Sequence, residues 1–187
     1  MNASARNYRK HAVLDDESPA LVRAIHPEDK PSLLEAFASL DIESVRTRFF
    51  SPKASLSSDE LEYFTEVDFF NHVAIGVGSL EEEQMIPIGI GRYIVDSDQP
   101  KKAEIALTVD EMYRGIGVGS LMLRHLCEIA RENGIEKFHA VMLEDNTKML
   151  HVLQRSQLPL HTSCADGVME MEIDITKPVL GPERRHP

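Results

Sequence analysis

Three glycines at alternate positions, Gly115, Gly117 and Gly119, lie between a predicted strand and a long predicted helix. Because glycine has no side chain, the backbone N–H groups of such a loop can approach an anion closely. The start of the helix adds amides without partners and a partial positive charge. Arg114, directly before the first glycine, is placed to add a charge-assisted contact. The segment from Arg114 to Ser120 is therefore predicted to hold a pyrophosphate.

Other interpretations of this loop differ in the spacing that they require. A P-loop ends in Gly-Lys followed by Ser or Thr, and here Ser120 follows Gly119 with no lysine, which excludes it. A dinucleotide-binding turn needs a third glycine where Ser120 stands and glycines close to the strand end, so the residues 110–114 disfavour it. A glycine-rich connection that binds nothing stays open, although glycines weaken a helix start.

The pattern along the chain predicts an α/β fold of the α+β kind, with a mixed sheet and helices on both faces. Alternating apolar residues around an acidic turn predict a hairpin from 10–14 and 20–25. Ser57 and Glu60 form a capping box that opens a helix. Further strands are predicted over 73–77, 86–95, 103–109, 137–143 and 168–175, and further helices over 27–40, 44–50, 117–133 and 146–156. We expect an N-terminal segment with a hairpin strand over 1–19, a domain over 20–176 and a loose tail over 177–187.

The amino-acid composition restricts the classes of protein to which this chain can belong. With 42% hydrophobic and 27% charged residues, the chain has the balance of a globular protein, and its apolar runs are too short to span a membrane. The N-terminus has no apolar core typical of a secretory signal, and two cysteines suit a reducing compartment, so we expect a cytoplasmic protein. No cysteine or histidine spacing indicates a metal site. The net charge of -11 disfavours nucleic acid as a partner. It favours a cationic acceptor, or serves solubility alone.

The segment Arg114-x-x-Gly117-x-Gly119 resembles the acyl-CoA signature of the GNAT superfamily of N-acetyltransferases. Asn146, with Met149-Leu150 after it, resembles the start of that family's next helix, and residues 23–29 resemble its first strand and helix. The runs 48–52, 56–57 and 61–65 look like the acetyltransferase domain of bacterial Pat-type protein-lysine acetyltransferases. The likeness covers about residues 8–175.

This resemblance implies a GNAT-like, mostly antiparallel sheet in which the central strands 103–109 and 137–143 splay apart. It implies acetyl-CoA as co-substrate, with the pantetheine arm in the gap and bonded to backbone atoms of Thr108 and Val109. Asn146 would contact the arm from the far side. The amides expected to hold the pyrophosphate are those of Arg114, Gly115, Ile116, Gly117, Val118, Gly119 and Ser120.

Glu104 is the candidate catalytic residue. A lysine amine has a pKa of about 10.4 and must lose a proton before it can attack, so a carboxylate that accepts this proton removes an obstacle. Period-two geometry places Glu104 on one strand face with Ala106 and Thr108. From spacing alone, Glu104 reads as a solvated strand residue; the resemblance implies that it is the general base. Asp110 and Glu111 are weaker rivals on the loop.

No general acid is assigned. The resemblance places Leu153 where many GNAT members carry a tyrosine that protonates the leaving thiolate, and Gln157-Leu158 where a Gly-Phe pair is common. Four other groups of residues are expected to serve packing or turns: the tyrosines Tyr63, Tyr93 and Tyr113, the histidines His125 and His139, the helix residue Cys127, and Cys164 in a turn.

The resulting hypothesis is an acetyl-CoA-dependent N-acetyltransferase that transfers the acetyl group directly to a primary amine, with a protein lysine as acceptor. Transfer to a small-molecule amine is the alternative within the same chemistry. A non-catalytic acyl-CoA-binding regulatory module is the alternative from another class, motivated by the missing tyrosine.

Overall fold

A single sheet organises the chain. The computed structural model describes residues 3–39, 55–81 and 84–179, and it confirms the mixed α/β fold. Within these residues, eight strands pair in the order β1-β2-β3-β4-β5-β6-β8-β7, and every neighbouring pair is antiparallel except β5 with β6. The strands are β1 Arg9–Val13, β2 Pro19–Ala24, β3 His72–Glu81, β4 Gln84–Val95, β5 Lys102–Val109, β6 Lys137–Leu143, β7 Leu160–Ala165 and β8 Val168–Asp174.

The helices begin where their capping residues predict. The Ser57 hydroxyl accepts from Glu60 N at 3.2 Å and the Glu60 carboxylate accepts from Ser57 N at 2.8 Å, which confirms the capping box. The helical patch predicted over 44–50 lies outside the described residues. The helices are α1 Ala3–Arg6, α2 Lys30–Ser39, α3 Ser58–Thr65, α4 Val118–Glu132 and α5 Thr147–Arg155, with 3-10 turns at Pro27–Asp29 and Glu111–Tyr113.

The core lies mainly between the sheet and α4. Four apolar residues of α4 are fully buried: Leu123, Leu126, Cys127 and Ala130. Gly91 of β4 lets this helix approach the sheet, because a Cβ there would lie 3.0 Å from the Leu126 Cδ1 atom. On the other side of the sheet, α2 and α3 pack together through a smaller apolar cluster of Phe37, Leu56 and Phe64. Both faces of the sheet therefore carry helices, as predicted.

Three local predictions need correction. Cys164 was expected in a turn, but it is an exposed residue of β7, a strand that the sequence did not indicate. This edge strand exposes five of its six residues, so it has no apolar alternation to detect. The strands predicted over 73–77 and 86–95 are longer than predicted, because β3 extends to Glu81 and β4 begins at Gln84. The four-residue helix α1 was also not predicted.

The two ends of the described chain are tied to the main body. β1 is the edge strand of the same sheet and pairs along its whole length with β2. Near the C-terminus, Arg131 Nη1 donates to the carbonyl of Lys177 at 2.8 Å. The division of the chain at residues 19 and 176 stays a prediction, and residues 180–187 of the expected tail lie outside the described residues.

Candidate active site

The central strands β5 and β6 separate soon after they meet. Their parallel register comprises three pairs and ends at Glu104 with His139. β5 continues to pair with β4 as far as Val109, and β6 continues to pair with β8 as far as Leu143. From Ile105 onward, the β6-facing edge of β5 therefore has no partner strand, and the splay implied by the resemblance is confirmed.

A cleft of about 700 Å³ occupies the gap between these strands. Its walls are β5, the glycine loop with the start of α4, part of β6, and α5. Ile116 is not among its lining residues; it is partly buried against the core, and its carbonyl accepts from Asp15 N at 2.9 Å. The other residues predicted for the site all line the cleft: Glu104, Thr108, Val109, Arg114, Gly115, Gly117, Val118, Gly119, Ser120 and Asn146. Their placement fits the site, while their individual roles stay predictions.

The glycine loop has a backbone that side chains would disturb. Gly115 and Gly117 have φ angles of +83° and +92°, in the left-handed region that favours glycine. At Gly117, a Cβ would also lie 2.9 Å from the Asp15 Cγ atom, and at Gly119 it would lie 2.9 Å from the Val152 Cγ2 atom. Because α4 begins at Val118, its first amides have no partners within the helix. The loop thus offers backbone donors at a helix start, which fits a phosphate ligand.

Positive charge concentrates in the cleft although the whole chain carries a net charge of -11. Of the described residues that line it, Arg114, Lys148 and Arg155 are cationic and Glu104 is the one acid. Sequence reasoning missed Lys148 and Arg155. The available signal was their spacing, since positions 148, 151 and 155 fall on one face of α5 while Leu153 points into the core.

Glu104 stands exposed at the narrow end of the cleft, on the same strand face as Ala106 and Thr108. The two rival carboxylates have local structural contacts. Asp110 Oδ1 accepts from Met112 N at 2.9 Å, where it caps a 3-10 turn, and Glu111 lies 3.5 Å from Arg114 Nη1. Of these three carboxylates, only Glu104 lines the cleft.

A second pocket, of about 110 Å³, lies between the sheet and the helices α2 and α3. Ala106 and Thr108 line both spaces, so the pocket and the cleft meet across β5. The lining is mainly apolar, and it includes the Arg92 guanidinium, which lies 4.3 Å from the centre of the Phe64 ring. Burial, assisted by the charge of Arg92, lowers the pKa of neighbouring His72 to about 4.

Leu153, where the resemblance places the tyrosine of many GNAT members, does not line the cleft. Leu153 is 1% exposed and packs in the core. Gln157 has a φ angle of +55°, in the left-handed region that favours glycine, the residue that the resemblance implies at this place. Of the tyrosines, Tyr113 lines the cleft, whereas the buried Tyr93 hydroxyl accepts from Asn133 Nδ2 at 2.7 Å. Among the described residues, no group of three or more His, Cys, Asp or Glu side chains is placed to hold a metal ion.

Comparison with known proteins identifies this arrangement. The model of the acetyltransferase (GNAT) family matches residues 40–157. The chain belongs to the GNAT family. GNAT acetyltransferases use acetyl-CoA, and the loop, the cationic lining and the open edge of β5 are suited to its phosphates and its amide-containing arm. In the described part of the chain, no helix is long and apolar enough to cross a membrane.

Three relatives illustrate how similar this GNAT chain is to known members. An acetyltransferase of Pseudomonas aeruginosa is 26% identical over 136 residues, which are 73% of each protein. Acetyltransferase Pat of Mycolicibacterium smegmatis is 30% identical over 135 residues, which are 72% of this chain and 39% of Pat. The crystal structure of the GNAT domain of S. lividans PAT superimposes with a TM-score of 0.81 at 30% identity, covering 93% of this chain and 99% of that domain. The chain thus spans well under half of the length of Pat.

Proposed function

We propose that this GNAT protein transfers the acetyl group of acetyl-CoA to a primary amine, and that the amine is a lysine side chain of a protein. The observation that carries the proposal is the cleft itself. It has a cationic glycine loop at one end and the carboxylate of Glu104 at the other, with an open strand edge between them. The proposal therefore assigns phosphate binding and proton acceptance to opposite ends of one bound molecule.

In this proposal, each wall of the cleft binds a different part of acetyl-CoA. Backbone N–H groups of the loop and the Arg114 guanidinium bind the phosphates. The edge of β5 at Thr108 and Val109 bonds to the arm as an added strand would. Asn146 caps α5 with its Oδ1 atom, which accepts from Met149 N at 3.2 Å, so its Nδ2 group is the part assigned to the arm.

The chemical part assigns the proton transfer to Glu104. As the amine nitrogen bonds to the acetyl carbonyl carbon, Glu104 takes the proton that the nitrogen must lose, directly or through a water molecule. The backbone amide near Val109 polarises the carbonyl. The carbon–sulfur bond breaks, and solvent returns a proton to the departing sulfur, since no tyrosine occupies position 153. This direct transfer needs no acyl-enzyme.

The choice of acceptor rests on the second pocket. It opens beside Ala106 and Thr108, two residues along the strand from Glu104, and its mainly apolar lining suits the aliphatic stem of a lysine. The net charge of -11 favours the approach of a cationic acceptor. The names of two relatives, Pat and PAT, agree with the Pat-type resemblance of the sequence. We also propose a cytoplasmic location, which the two unpaired cysteines support.

Calorimetry with acetyl-CoA tests the proposed cofactor site first, on the wild type, Gly117→Glu and Glu104→Gln. We expect the wild type and Glu104→Gln to bind alike and Gly117→Glu not to bind. Free CoA and acetylated product are then measured with a lysine-containing peptide, a polyamine and free amino acids. Acetylation of the peptide would support the proposal. Turnover with the polyamine or the free amino acids alone would show that the acceptor is a small amine and not a protein lysine. Binding without release of CoA for any amine would make the chain an acyl-CoA-binding module.

A further inference from the structure

The turn between β1 and β2 packs directly on the glycine loop. Asp15 N donates to the Ile116 carbonyl at 2.9 Å, and the Asp15 carboxylate lies so close to Gly117 that an added Cβ would stand 2.9 Å from Asp15 Cγ. The same carboxylate accepts from Arg155 Nη2, with 3.2 Å between Oδ2 and Nη2. An acidic side chain from a distant part of the chain therefore lies against the proposed phosphate cradle and contacts one of its cations.

Arg155 is well placed to exchange this partner. It is the last residue of α5, it lines the cleft together with Arg114 and Gly115, and its side chain is 54% exposed. A guanidinium binds phosphate oxygens with the same planar N–H pairs that it offers to a carboxylate. A partly exposed ion pair contributes little stability, so a phosphate with more charge can displace Asp15 at small cost.

We propose that Arg155 is a phosphate-binding residue of the cleft and that Asp15 occupies its guanidinium until a phosphate of CoA replaces the carboxylate. The inference rests on the proposed function, since it requires CoA in the cleft. Asp15 then opposes binding in two ways. It competes for Arg155, and its charge repels the incoming phosphate across the short distance to Gly117. Affinity for CoA is therefore lower than the glycine loop and Arg155 would provide without Asp15, which favours release of the product.

Two phosphate groups of CoA are able to reach Arg155, the pyrophosphate and the 3′-phosphate. Both present the same chemistry, and dephospho-CoA, which lacks only the 3′-phosphate, distinguishes them. If Arg155 binds the 3′-phosphate, its removal weakens the binding of CoA and leaves that of dephospho-CoA unchanged. If it binds the pyrophosphate, both ligands lose affinity equally.

The test is calorimetric titration of CoA and dephospho-CoA into the wild type, Asp15→Asn and Arg155→Met. We expect Arg155→Met to bind CoA about tenfold more weakly, the loss of one charge-assisted contact at an exposed site. Asp15→Asn is expected to bind CoA roughly threefold more tightly, as a partly exposed competing ion pair is removed. Glu17→Gln, in the same turn, and Arg9→Met, on β1, remove the same charges outside the cleft lining and control for net charge.

The double variant separates exchange from simple repulsion. With Arg155→Met present, the gain from Asp15→Asn should shrink, because the competition for the Arg155 guanidinium is then removed. An unchanged affinity in Arg155→Met, or weaker binding by Asp15→Asn, overturns the inference while normal wild-type binding leaves the proposed function intact. Failure of the wild type to bind acetyl-CoA overturns the proposed function, and the inference with it. Thermal melting of each variant excludes unfolding as the cause.

Discussion

Glu104 and His139 form the last register pair between β5 and β6, and the cleft opens directly beyond them. Because Glu104 is the last residue of β5 that pairs with β6, its carboxylate stands where the two strands part. His139 does not extend toward the cleft; its Nε2 atom lies 2.9 Å from Asp96 Oδ1, and His139 is not a lining residue. Among the described residues that line the cleft, Glu104 is thus the one acidic side chain at its narrow end.

Replacing Glu104 with glutamine is expected to lower kcat by at least about 100-fold, because the amine then has no positioned base. The Kd for acetyl-CoA should stay unchanged, since the phosphate end of the cleft is untouched. Turnover and calorimetry measure the two quantities. Glu170→Gln, at an exposed position on β8, is the matched control and should retain the wild-type kcat. An equal loss in both variants would remove Glu104 from the role of base.

Two glycines allow strain and ligand binding to be separated. Gly115 and Gly134 have nearly equal φ angles, +83° and +82°, and a Cβ at either position meets nothing within 4 Å. Alanine should therefore cost about 1 kcal/mol of unfolding free energy at each position, measured by urea denaturation. Only Gly115→Ala is expected to weaken acetyl-CoA binding, because only Gly115 lines the cleft. Equal Kd values for the two variants would show that the loop conformation does not matter for the ligand.

Much of this site was predictable because the glycine loop combines backbone chemistry with a fixed place between a strand and a helix. Alternation along β5 and the apolar stripe of α4 predicted both neighbours of the loop correctly. The sequence could not show that Asp15 lies against Gly117, because the residues are far apart in the chain and only the pairing of β1 with β2 brings the turn there. Polar edge strands such as β7 escape prediction for a related reason: they bury too little to leave a period.

Substitutions at Gln157 test whether its positive φ angle strains the backbone. Its φ angle of +55° costs an ordinary residue roughly 1–2 kcal/mol, which exceeds the roughly 0.5–1 kcal/mol of entropy that glycine adds to the unfolded chain. Gln157→Gly is therefore expected to raise the unfolding free energy by a few tenths of a kcal/mol up to about 1 kcal/mol. Gln157→Ala keeps the strain and should give no gain. Urea denaturation compares the three proteins, and a loss of stability in Gln157→Gly would contradict the assigned strain.

The lowered pKa of His72 predicts how the free energy of unfolding changes with pH. Burial, followed by the charge of Arg92, lowers its pKa from 6.5 to about 4 in the folded protein. The unfolded chain then binds a proton that the folded protein rejects, so stability is complete above pH 6.5 and falls as the pH decreases from 6.5 toward 4. The slope from this group is at most about 1.4 kcal/mol per pH unit. His72→Gln should flatten this slope in urea denaturation at a series of pH values, whereas His11→Gln, at an exposed position on β1, should leave it as in the wild type. An imidazole of His72 that titrates near pH 6.5 by NMR would show that this side chain is open to water in the folded protein, and would contradict the predicted loss of stability.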